Sequence, residues 1–510
     1  MKDAIADLLE ARRILTNIYD SSHYKVAHCD VLLAEAAMEG GDAAGALAFA
    51  RTAIGTLKDR THALMASKAP MAFPDPHILP DAIYWSVRAQ RALAPKGTVK
   101  KEWNDDLDLA ITALARNKTA VTDEASKLLL IGAQKRLFDL AMDVAYDAYA
   151  KSGSEADIER FLQLSEADRS ILLKSRLNTF AGIRFSGVPD SIVAKEQELI
   201  AAIDLDEEDR AAATDMDRRE KAYADFIVRL EKEHPNYFRL RYGESSISLA
   251  EVRKRLLTTD RDLLVYARTD DHLYMVVVSM QRAGLIRVVA KGIPEEVKAL
   301  NGSIASRNTS AYVAAAHGLY SRVFAPVADQ LTNKELLIIP DGALHTLSFE
   351  ALLSSPDVKD FRKNLLIQRY TIAYLLSATT ALQFADMARD RAKGVLAIAP
   401  GFSDELKQEY LTRVQDSTLI DRSYLDYVRQ PFAVSTAQDL GNALSAKVMV
   451  GGAANEKGFR DLAARYGILH LGTHAEVNAT SPMYSRLVLS KDGSGVDPDA
   501  DGYLHAYEIY

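Results

Sequence analysis

Apolar residues recur at helical spacing through the first part of the chain, up to about Pro235. The clearest helix carries apolar side chains at i, i+3, i+4, i+7, i+8 and i+11 and stops near Gly153. Its apolar positions are Leu137, Leu140, Ala141, Val144, Ala145 and Ala148. Four prolines, Pro70, Pro74, Pro76 and Pro80, lie close together in the sequence. Because proline disfavours the interior of a helix, this segment is predicted to be a loop. We predict that residues 1–235 are otherwise helical.

Two of these helices are predicted to form a hairpin. The sequence VLLAEAAMEGGDAAGALAFARTAIGTL has two helical stretches around the turn Gly40-Gly41-Asp42. It is similar to a tetratricopeptide (TPR) hairpin at the positions Leu33, Ala34, Ala46 and Ala53. The large aromatics and the closing proline of that repeat are missing at Ala37, Ala50 and Lys58. An ordinary antiparallel helix pair is the alternative, and both would expose a long surface suited to protein recognition.

After Pro235 the pattern changes to short β-rich runs. LLVYA, LYMVVVSM and LIRVVA, within residues 263–290, predict an antiparallel meander. Short apolar runs then alternate with helical segments, as in a buried parallel sheet, at 336–339, 395–399, 447–450 and 468–472. One intervening helix has a cap at Ser377 and an end at Gly394. The second part is therefore predicted to be α/β.

Composition narrows the classes of function. The chain of 510 residues has 62 Lys+Arg and 70 Asp+Glu, a net charge of −8 without a basic block, so we expect no direct nucleic-acid partner. All of the excess acid lies in residues 1–235. We also expect no membrane partner and a cytoplasmic location, because the sequence has neither a long apolar stretch nor a signal-peptide pattern. The sole cysteine, Cys29, excludes an intrachain disulfide and a Cys-rich zinc site, and we expect no cofactor.

Histidines are the residues best suited to chemistry. His474 follows directly after the predicted strand that ends at Gly472, and ligands bind at the carboxyl ends of parallel strands. Its imidazole can act as a base at neutral pH, although a loop histidine that only hydrogen-bonds locally is the alternative. His470, inside the strand, is predicted to be a core residue. His23 and His28 lack partners at metal-binding spacing, so we predict no metal site there.

Other motif classes are weak. The segment GGAANEKG (451–458) lacks phosphate-loop spacing and predicts a strand-to-helix turn. The acidic run at 204–220 predicts a solvated helix face or a linker rather than a docking strip.

Several segments occur in an order that resembles one known family. They are LLIIPDGALHTLSFEALL (336–353), KVMVGGAANEKGFRDLAARYGILHLGTHA (447–475), MYSRLVLS (483–490) and DGYLHAYEIY (501–510). These resemble, in order, the motifs of CHAT-domain proteins, which are caspase- and separase-like cysteine peptidases often fused behind TPR helices. The resemblance spans about 240–510, with Ser348 in place of the family's proline.

The resemblance implies a helical TPR-like domain followed by a caspase-like α/β domain of two lobes with a mostly parallel sheet. The implied boundaries are 1–235 for the helical domain, 236–393 for a non-catalytic lobe and 394–510 for the catalytic lobe. His474 would be the general base of a Cys-His dyad, and the backbone N–H of Ala475, where the family has glycine, would help bind the oxyanion. The implied substrate is another protein, with a regulatory protein partner on the helical domain. Bacterial relatives often act in defence.

The nucleophile is the main departure from the family. Its cysteine lies on the strand after the segment that DGYLHAYEIY resembles, and the sequence ends at Tyr510. Cys29 belongs to the helical part and is predicted to be a small buried hydrophobe. We expect the chain to be a fragment, a truncated form or one piece of a two-chain enzyme. The alternative is a non-catalytic CHAT-like scaffold, which Ala475 and the missing thiol favour and the retention of His474 opposes.

Overall fold

The computed structural model describes most of the chain, namely residues 2–19, 21–57, 77–117, 124–179, 189–203, 213–234, 238, 247–357, 359–386, 393–414, 417–478, 484–491 and 501–509. The chain divides into two compact units, Met1–Asp386 and Met387–Tyr510. The first unit contains the helical part and a five-stranded sheet. The boundaries near 235 and 393 stay predictions. In the described residues, no helix is long and apolar enough to cross a membrane.

All regular secondary structure in the described part of residues 1–235 is helical, as predicted. Its helices are α1 (Lys2–Tyr19), α2 (Tyr24–Glu39), α3 (Ala43–Thr56), α4 (Ile78–Leu93), α5 (Lys101–Asn117), α6 (Glu124–Ser152), α7 (Glu155–Thr179), α8 (Asp190–Ile203) and α9 (Ala213–Glu233). One further helix, α10 (Leu249–Arg255), precedes the first strand. Most neighbours in sequence pack on each other, including α2 on α3 and α6 on α7. The helix predicted to stop near Gly153 is α6, which ends one residue before it.

The helix hairpin is confirmed. Gly40 ends α2, Gly41 has a φ of +83°, and the side chain of Asp42 accepts the N–H of Gly45 at 2.8 Å to start α3. The positions that match the TPR pattern are fully buried: Leu33, Ala34, Ala46 and Ala53. The pair is therefore TPR-like, with alanine in place of the aromatics at the helix crossing.

The proline-rich loop is only partly described. Residues 58–76, which include Pro70, Pro74 and Pro76, lie outside the described residues. The prediction is wrong at Pro80, which lies in the first turn of α4. A first turn tolerates proline because its N–H groups have no partner four residues earlier in the helix. Of the acidic run, 204–212 also lies outside the described residues, and the rest belongs to α9.

The sheet of the first unit is mixed. Its strands are β1 (Arg261–Arg268), β2 (His272–Val278), β3 (Ala283–Val289), β4 (Glu335–Ile339) and β5 (Thr371–Tyr374). The order is β3-β2-β1-β4-β5, in which β1 to β3 are the predicted antiparallel meander and β1, β4 and β5 are parallel. The helices that follow β3 and β5 are α11 (Ile293–Ala305), α12 (Thr309–Val323), α13 (Ala325–Ala328) and α14 (Ala378–Asp386). The predicted cap of α14 is present, since Ser377 Oγ accepts the N–H of Thr380 at 3.0 Å.

Alternate residues of β1 enter two different cores. Leu263, Val265 and Ala267 belong to the core formed with the N-terminal helices, whereas Leu264 and Tyr266 belong to the core formed with α11 and α12. Side chains of a strand point alternately to its two faces, so this pattern sandwiches the sheet between two helical layers. The N-terminal helices and the sheet therefore share a continuous core.

The second unit contains two small sheets. Its strands are β6 (Val395–Ala399), β7 (Lys447–Val450), β8 (Ile468–Leu471), β9 (Ala475–Glu476), β10 (Arg486–Val488) and β11 (Tyr503–His505). Its helices are α15 (Asp404–Arg413), α16 (Arg422–Asp426), α17 (Pro431–Leu444), α18 (Glu456–Leu462) and α19 (Ala506–Ile509). The parallel sheet has the order β7-β6-β8, and the antiparallel sheet has the order β11-β10-β9. The predicted α/β class is confirmed, although the run at 336–339 belongs to the other sheet.

Candidate active site

Two loops leave the same edge of the parallel sheet in the second unit. β6 and β8 are adjacent and parallel, so their carboxyl ends coincide. After β8, the N–H of Gly472 donates to the carbonyl of Ile398 at 2.8 Å and fixes the start of the loop that carries His474. After β6, Gly401 and Phe402 turn the chain with φ angles of +75° and +48°. This is the edge at which parallel sheets bind ligands.

The imidazole of His474 lies against two aromatic rings and one backbone carbonyl. Its centroid is 5.0 Å from that of Phe402 and 5.1 Å from that of Tyr427, on which it stacks. Its Nε2 lies 2.7 Å from the carbonyl oxygen of Val428. Because a carbonyl oxygen only accepts hydrogen bonds, Nε2 carries the hydrogen and the lone pair of the neutral ring is on Nδ1. The arrangement leaves Nδ1 able to accept a proton.

The backbone amide of Ala475 points away from its neighbouring strand. β9 and β10 are antiparallel, with Ala475 opposite Leu487. The N–H of Val488 donates to the carbonyl of His474 at 2.9 Å, so these two residues form a hydrogen-bonded pair. Hydrogen-bonded and non-hydrogen-bonded pairs alternate along an antiparallel ladder, so the N–H of Ala475 points to the outer side of β9. In the described residues β9 is the edge strand of its sheet.

The ring of Tyr427 is held by a carboxylate on β9. Its hydroxyl donates to Glu476, whose other oxygen accepts from Arg486 Nε at 2.8 Å. Burial and the bond to Glu476 raise the pKa of Tyr427 to about 12. The hydrogen bond from Tyr427 lowers the pKa of Glu476 despite partial burial, and Arg486 lowers it further. At neutral pH the hydroxyl of Tyr427 therefore keeps its proton and donates it in the hydrogen bond, and the carboxylate of Glu476 stays negatively charged.

Behind Arg486 a second set of charges is also paired. Its guanidinium carbon lies 3.6 Å from the ring centroid of Tyr503, whose hydroxyl donates to Asp421. Lys491 Nζ donates to the same carboxylate at 2.8 Å. Burial and the bond to Asp421 raise the pKa of Tyr503. Burial raises the pKa of Asp421, but the bonds from Lys491 and Tyr503 outweigh it and the net shift is downward. The layer beneath the site therefore keeps one charge state near neutral pH.

Residues 313–510 match the family model described as the CHAT domain. The chain contains a CHAT domain. The match starts within α12 and includes β4, β5 and the whole second unit, whereas β1 to β3 precede it. This confirms the resemblance predicted from the motifs. A comparison with curated proteins finds no match.

Two motifs of the CHAT domain meet through buried polar contacts. Asn455 caps α18 with its side chain. Glu456, whose side chain is 1% exposed, accepts the N–H of Gly502 at 3.1 Å, and Arg460 binds both Glu456 and Glu508. Burial raises the pKa of Glu456 to about 7. These contacts connect the segment before β8 to the segment 501–509. The motif residues involved therefore have a structural role.

Pro340, Asp341 and Gly342 of the CHAT domain form the turn that follows β4. Asp341 accepts the N–H of Arg268 at 2.6 Å and that of Gly342 at 2.8 Å. Gly342 has a φ of +55°, which a side chain would strain. Ser348, in place of the family's proline, has a φ of −82°, close to the value that proline imposes. The motif therefore joins β4 to β1.

The other histidines and the cysteine singled out from the sequence make contacts that belong to the fold rather than to a reactive site. His470 is half-buried on β8 rather than enclosed in the core, because no described strand covers the outer edge of β8. Cys29 is buried, and burial raises the pKa of its thiol. His23 caps α2 by accepting the N–H of Lys25 at 3.3 Å. The described residues contain no group of three or more His, Cys, Asp or Glu side chains placed to bind a metal ion.

Sequence reasoning missed the residues that surround the imidazole. Phe402, Tyr427 and Val428 belong to no motif that we recognised. For Phe402 a signal was present, since Gly401 follows a fully apolar strand and marks a tight turn at its carboxyl end. For Tyr427 and Val428 no comparable signal exists, because their segment contacts His474 across 46 positions of sequence.

Proposed function

We propose that the CHAT domain supplies the general base of a caspase-like cysteine endopeptidase that acts on a protein substrate. Nδ1 of His474 would take the proton of a thiol, and the thiolate would attack the scissile carbonyl. The imidazolium would then give its proton to the leaving amine, and water would hydrolyse the thioester. The observation that carries this proposal is the hydrogen bond from Nε2 to Val428, because it leaves Nδ1 as the basic nitrogen at the carboxyl edge of the sheet.

The thiol would come from a polypeptide segment outside these 510 residues, fused or on a second chain. The sequence has only Cys29, which is buried in α2, and burial raises the pKa of its thiol and disfavours the reactive thiolate. In the described residues β8 is an edge strand, and it exposes 60% of Ile468 and 40% of Leu469. An added strand would cover this apolar edge and lie beside the strand that leads to His474.

Ala475 would contribute the oxyanion donor. The outward direction of its N–H supports this role, since an amide used by the ladder could not face a substrate. A single donor of this kind contributes about 3 to 4 kcal/mol to the transition state. The methyl group of alanine is compatible with the role because β9 is extended, a conformation that does not require glycine.

Regulation would reach the peptidase through a protein partner bound to the helical part. The excess of acid in residues 1–235 favours a partner with basic patches. The core shared by these helices and one face of β1 supports a first step of such regulation, because a rearranged helix would alter the packing of the sheet of the first unit.

A non-catalytic scaffold is the second candidate. Two observations favour it. The single cysteine, Cys29, is buried in α2, and the local hydrogen bond to Val428 is one that an ordinary loop histidine could also make. Both candidates use the helical part for protein recognition. They differ in whether any thiol-bearing segment confers peptide-bond cleavage.

The test supplies that segment and measures cleavage of a library of protein substrates with the regulatory partner present. The parent is expected to cleave, and His474→Ala is expected to lose several orders of magnitude, because members of a dyad act as a unit. His317→Ala, in α12, is the matched control and should keep its rate. Equal cleavage by His474→Ala and the parent would exclude the proposed base, and absence of cleavage by every completed form would favour the scaffold.

A further inference from the structure

The segment that presents Val428 to His474 is held partly by apolar packing, since Leu425 and Tyr427 pack against the core that contains Phe402 and Tyr424. It connects α16 to α17 over residues 427–430, which have no regular structure. The side chain of Val428 is 72% exposed, and Asp426 and Arg429 are exposed as well. The side chain of Val428 therefore gives its backbone no apolar anchor, and polar contacts on both sides help to set the position of its carbonyl.

Lys407 provides the first of these contacts from α15. Its half-buried Nζ donates to the carbonyl of Leu425 and to that of Tyr427, both at 2.6 Å. A charged donor forms strong hydrogen bonds in such partly dry surroundings, and its two partners belong to one short segment. Lys407 thus fastens the backbone just before Val428 to the helix that follows β6.

The second contact comes from β9. The hydroxyl of Tyr427 donates to Glu476, which Arg486 also binds, and the ring of Tyr427 stacks on His474. On the other side of Val428, the N–H of Gln430 donates to the carbonyl of Gly401 at 2.9 Å. The carbonyl that accepts from Nε2 therefore lies between anchored residues on both sides.

We propose that Lys407 and Glu476 are positioning residues that hold residues 425–428 so that the Val428 carbonyl keeps the hydrogen on Nε2 of His474. In this way they leave Nδ1 as the nitrogen that receives a proton. The catalytic use of Nδ1 rests on the proposed function, whereas the bonding of Nε2 is a property of the 510-residue chain by itself. The two can therefore be tested separately.

The test uses NMR of the full chain labelled with 15N in histidine only. A ring N–H held in a hydrogen bond exchanges slowly with water and gives its own proton signal, which His474→Asn assigns by its disappearance. Lys407→Met and Glu476→Ala are expected to speed the exchange of this N–H about tenfold or to abolish the signal, the effect of losing one hydrogen bond. Lys407→Arg should restore it, because a guanidinium can donate to both carbonyls.

Two variants distinguish a loss of positioning at His474 from a general loss of folded structure. Lys457→Met removes an exposed lysine of α18 in the same unit and should leave the signal unchanged. Tyr427→Phe keeps the stacked ring but removes the bond to Glu476, so it should speed the exchange without unfolding the unit. If Lys407→Met does not fold, Tyr427→Phe decides the result.

The outcomes distinguish the two proposals. If Lys407→Met, Glu476→Ala and Tyr427→Phe all fold and keep the exchange rate of the parent, the positioning role is overturned while the peptidase proposal stands. If the exchange responds as expected, the positioning role is supported, even where the completed protein cleaves nothing and the peptidase proposal fails. In a completed, active protein Lys407→Met should lower kcat with KM unchanged, and a rise in KM alone would contradict a role at His474.

Discussion

Replacing Glu166 should weaken the contact between α7 and the start of α14 within the first unit. Glu166 lies on α7, and its side chain is fully buried. Its carboxylate accepts the N–H of Ala378 at 3.1 Å and that of Thr379 at 2.8 Å, two of the unpaired amides at the start of α14. Arg169 Nη1 lies 3.5 Å from the same carboxylate. A negative charge at a helix N-terminus is stabilised by the amides it faces.

The size of the effect follows from these contacts. A hydrogen bond to a charged group contributes about 1.5 to 3 kcal/mol, and breaking a buried ion pair costs about 3 to 5 kcal/mol. The two estimates describe the same carboxylate and are not additive, so Glu166→Ala should destabilise the junction by about 3 to 5 kcal/mol. Glu166→Gln keeps one carbonyl acceptor and should cost about 2 kcal/mol.

The assay is hydrogen exchange followed by mass spectrometry, with urea unfolding as a second measurement. A loss of 3 kcal/mol or more corresponds to an increase in amide exchange on the order of a hundredfold. The increase should be concentrated in peptides that contain Ala378 and Thr379 and in the facing turns of α7. Glu39→Gln, at an exposed position of α2, is the control and should change stability by less than about 0.5 kcal/mol.

The reasoning would be refuted if Glu166→Ala kept the protection of Ala378 and Thr379 and the urea midpoint of the parent. A uniform loss of protection over both units would also contradict it, because the contacts involved lie within the first unit.

Further predictions follow from the contacts of single residues. The pKa of Glu456 is raised from 4.5 to about 7 in the folded chain, so the folded state binds its proton more tightly than the unfolded state. The stability of the second unit should therefore fall by about 3 kcal/mol at most as pH rises from 4.5 through 7, and Glu456→Gln should flatten this dependence in urea unfolding measured across that range. Gly502→Ala should destabilise by about 1 to 3 kcal/mol in thermal unfolding, because its φ is +84° and the added Cβ would lie 2.5 Å from a lysine side chain, whereas Gly452→Ala has no such contact and should be mild. Asp341→Ala should leave the backbone amides of Arg268 and Gly342 without their acceptor and lower the unfolding temperature of the first unit, and Asp341→Asn should lower it less. Association of a regulatory partner with residues 1–235 should slow as salt rises, and a rate independent of ionic strength in stopped-flow mixing would contradict the electrostatic part of that proposal.

Patterns along the chain were enough to predict most of the secondary structure and the class of the two parts. Helical spacing predicted the second half of α6 and its end near Gly153, and runs of β-forming residues predicted the meander β1 to β3, because both patterns record burial that is local in the chain. The order of motifs also identified the CHAT domain, and the apolar run before His474 correctly put this residue directly after a strand of the parallel sheet. At Pro80 the sequence misled, since proline excludes a helix interior but is compatible with a first turn.

The availability of individual atoms in the site depends on contacts between segments that are distant in the chain. The Nε2 of His474 is engaged because Val428, 46 positions earlier, reaches it, and that contact depends on Lys407 and Glu476 rather than on any periodic pattern. The direction of the Ala475 amide likewise depends on the register of β9 against β10, which no spacing within either strand encodes. Hydrogen bonds between segments distant in the chain are set by how the sheets bring those segments together. The sequence could therefore identify histidine as the residue able to act as a base, whereas the nitrogen of its ring that is free to do so follows from the folded structure.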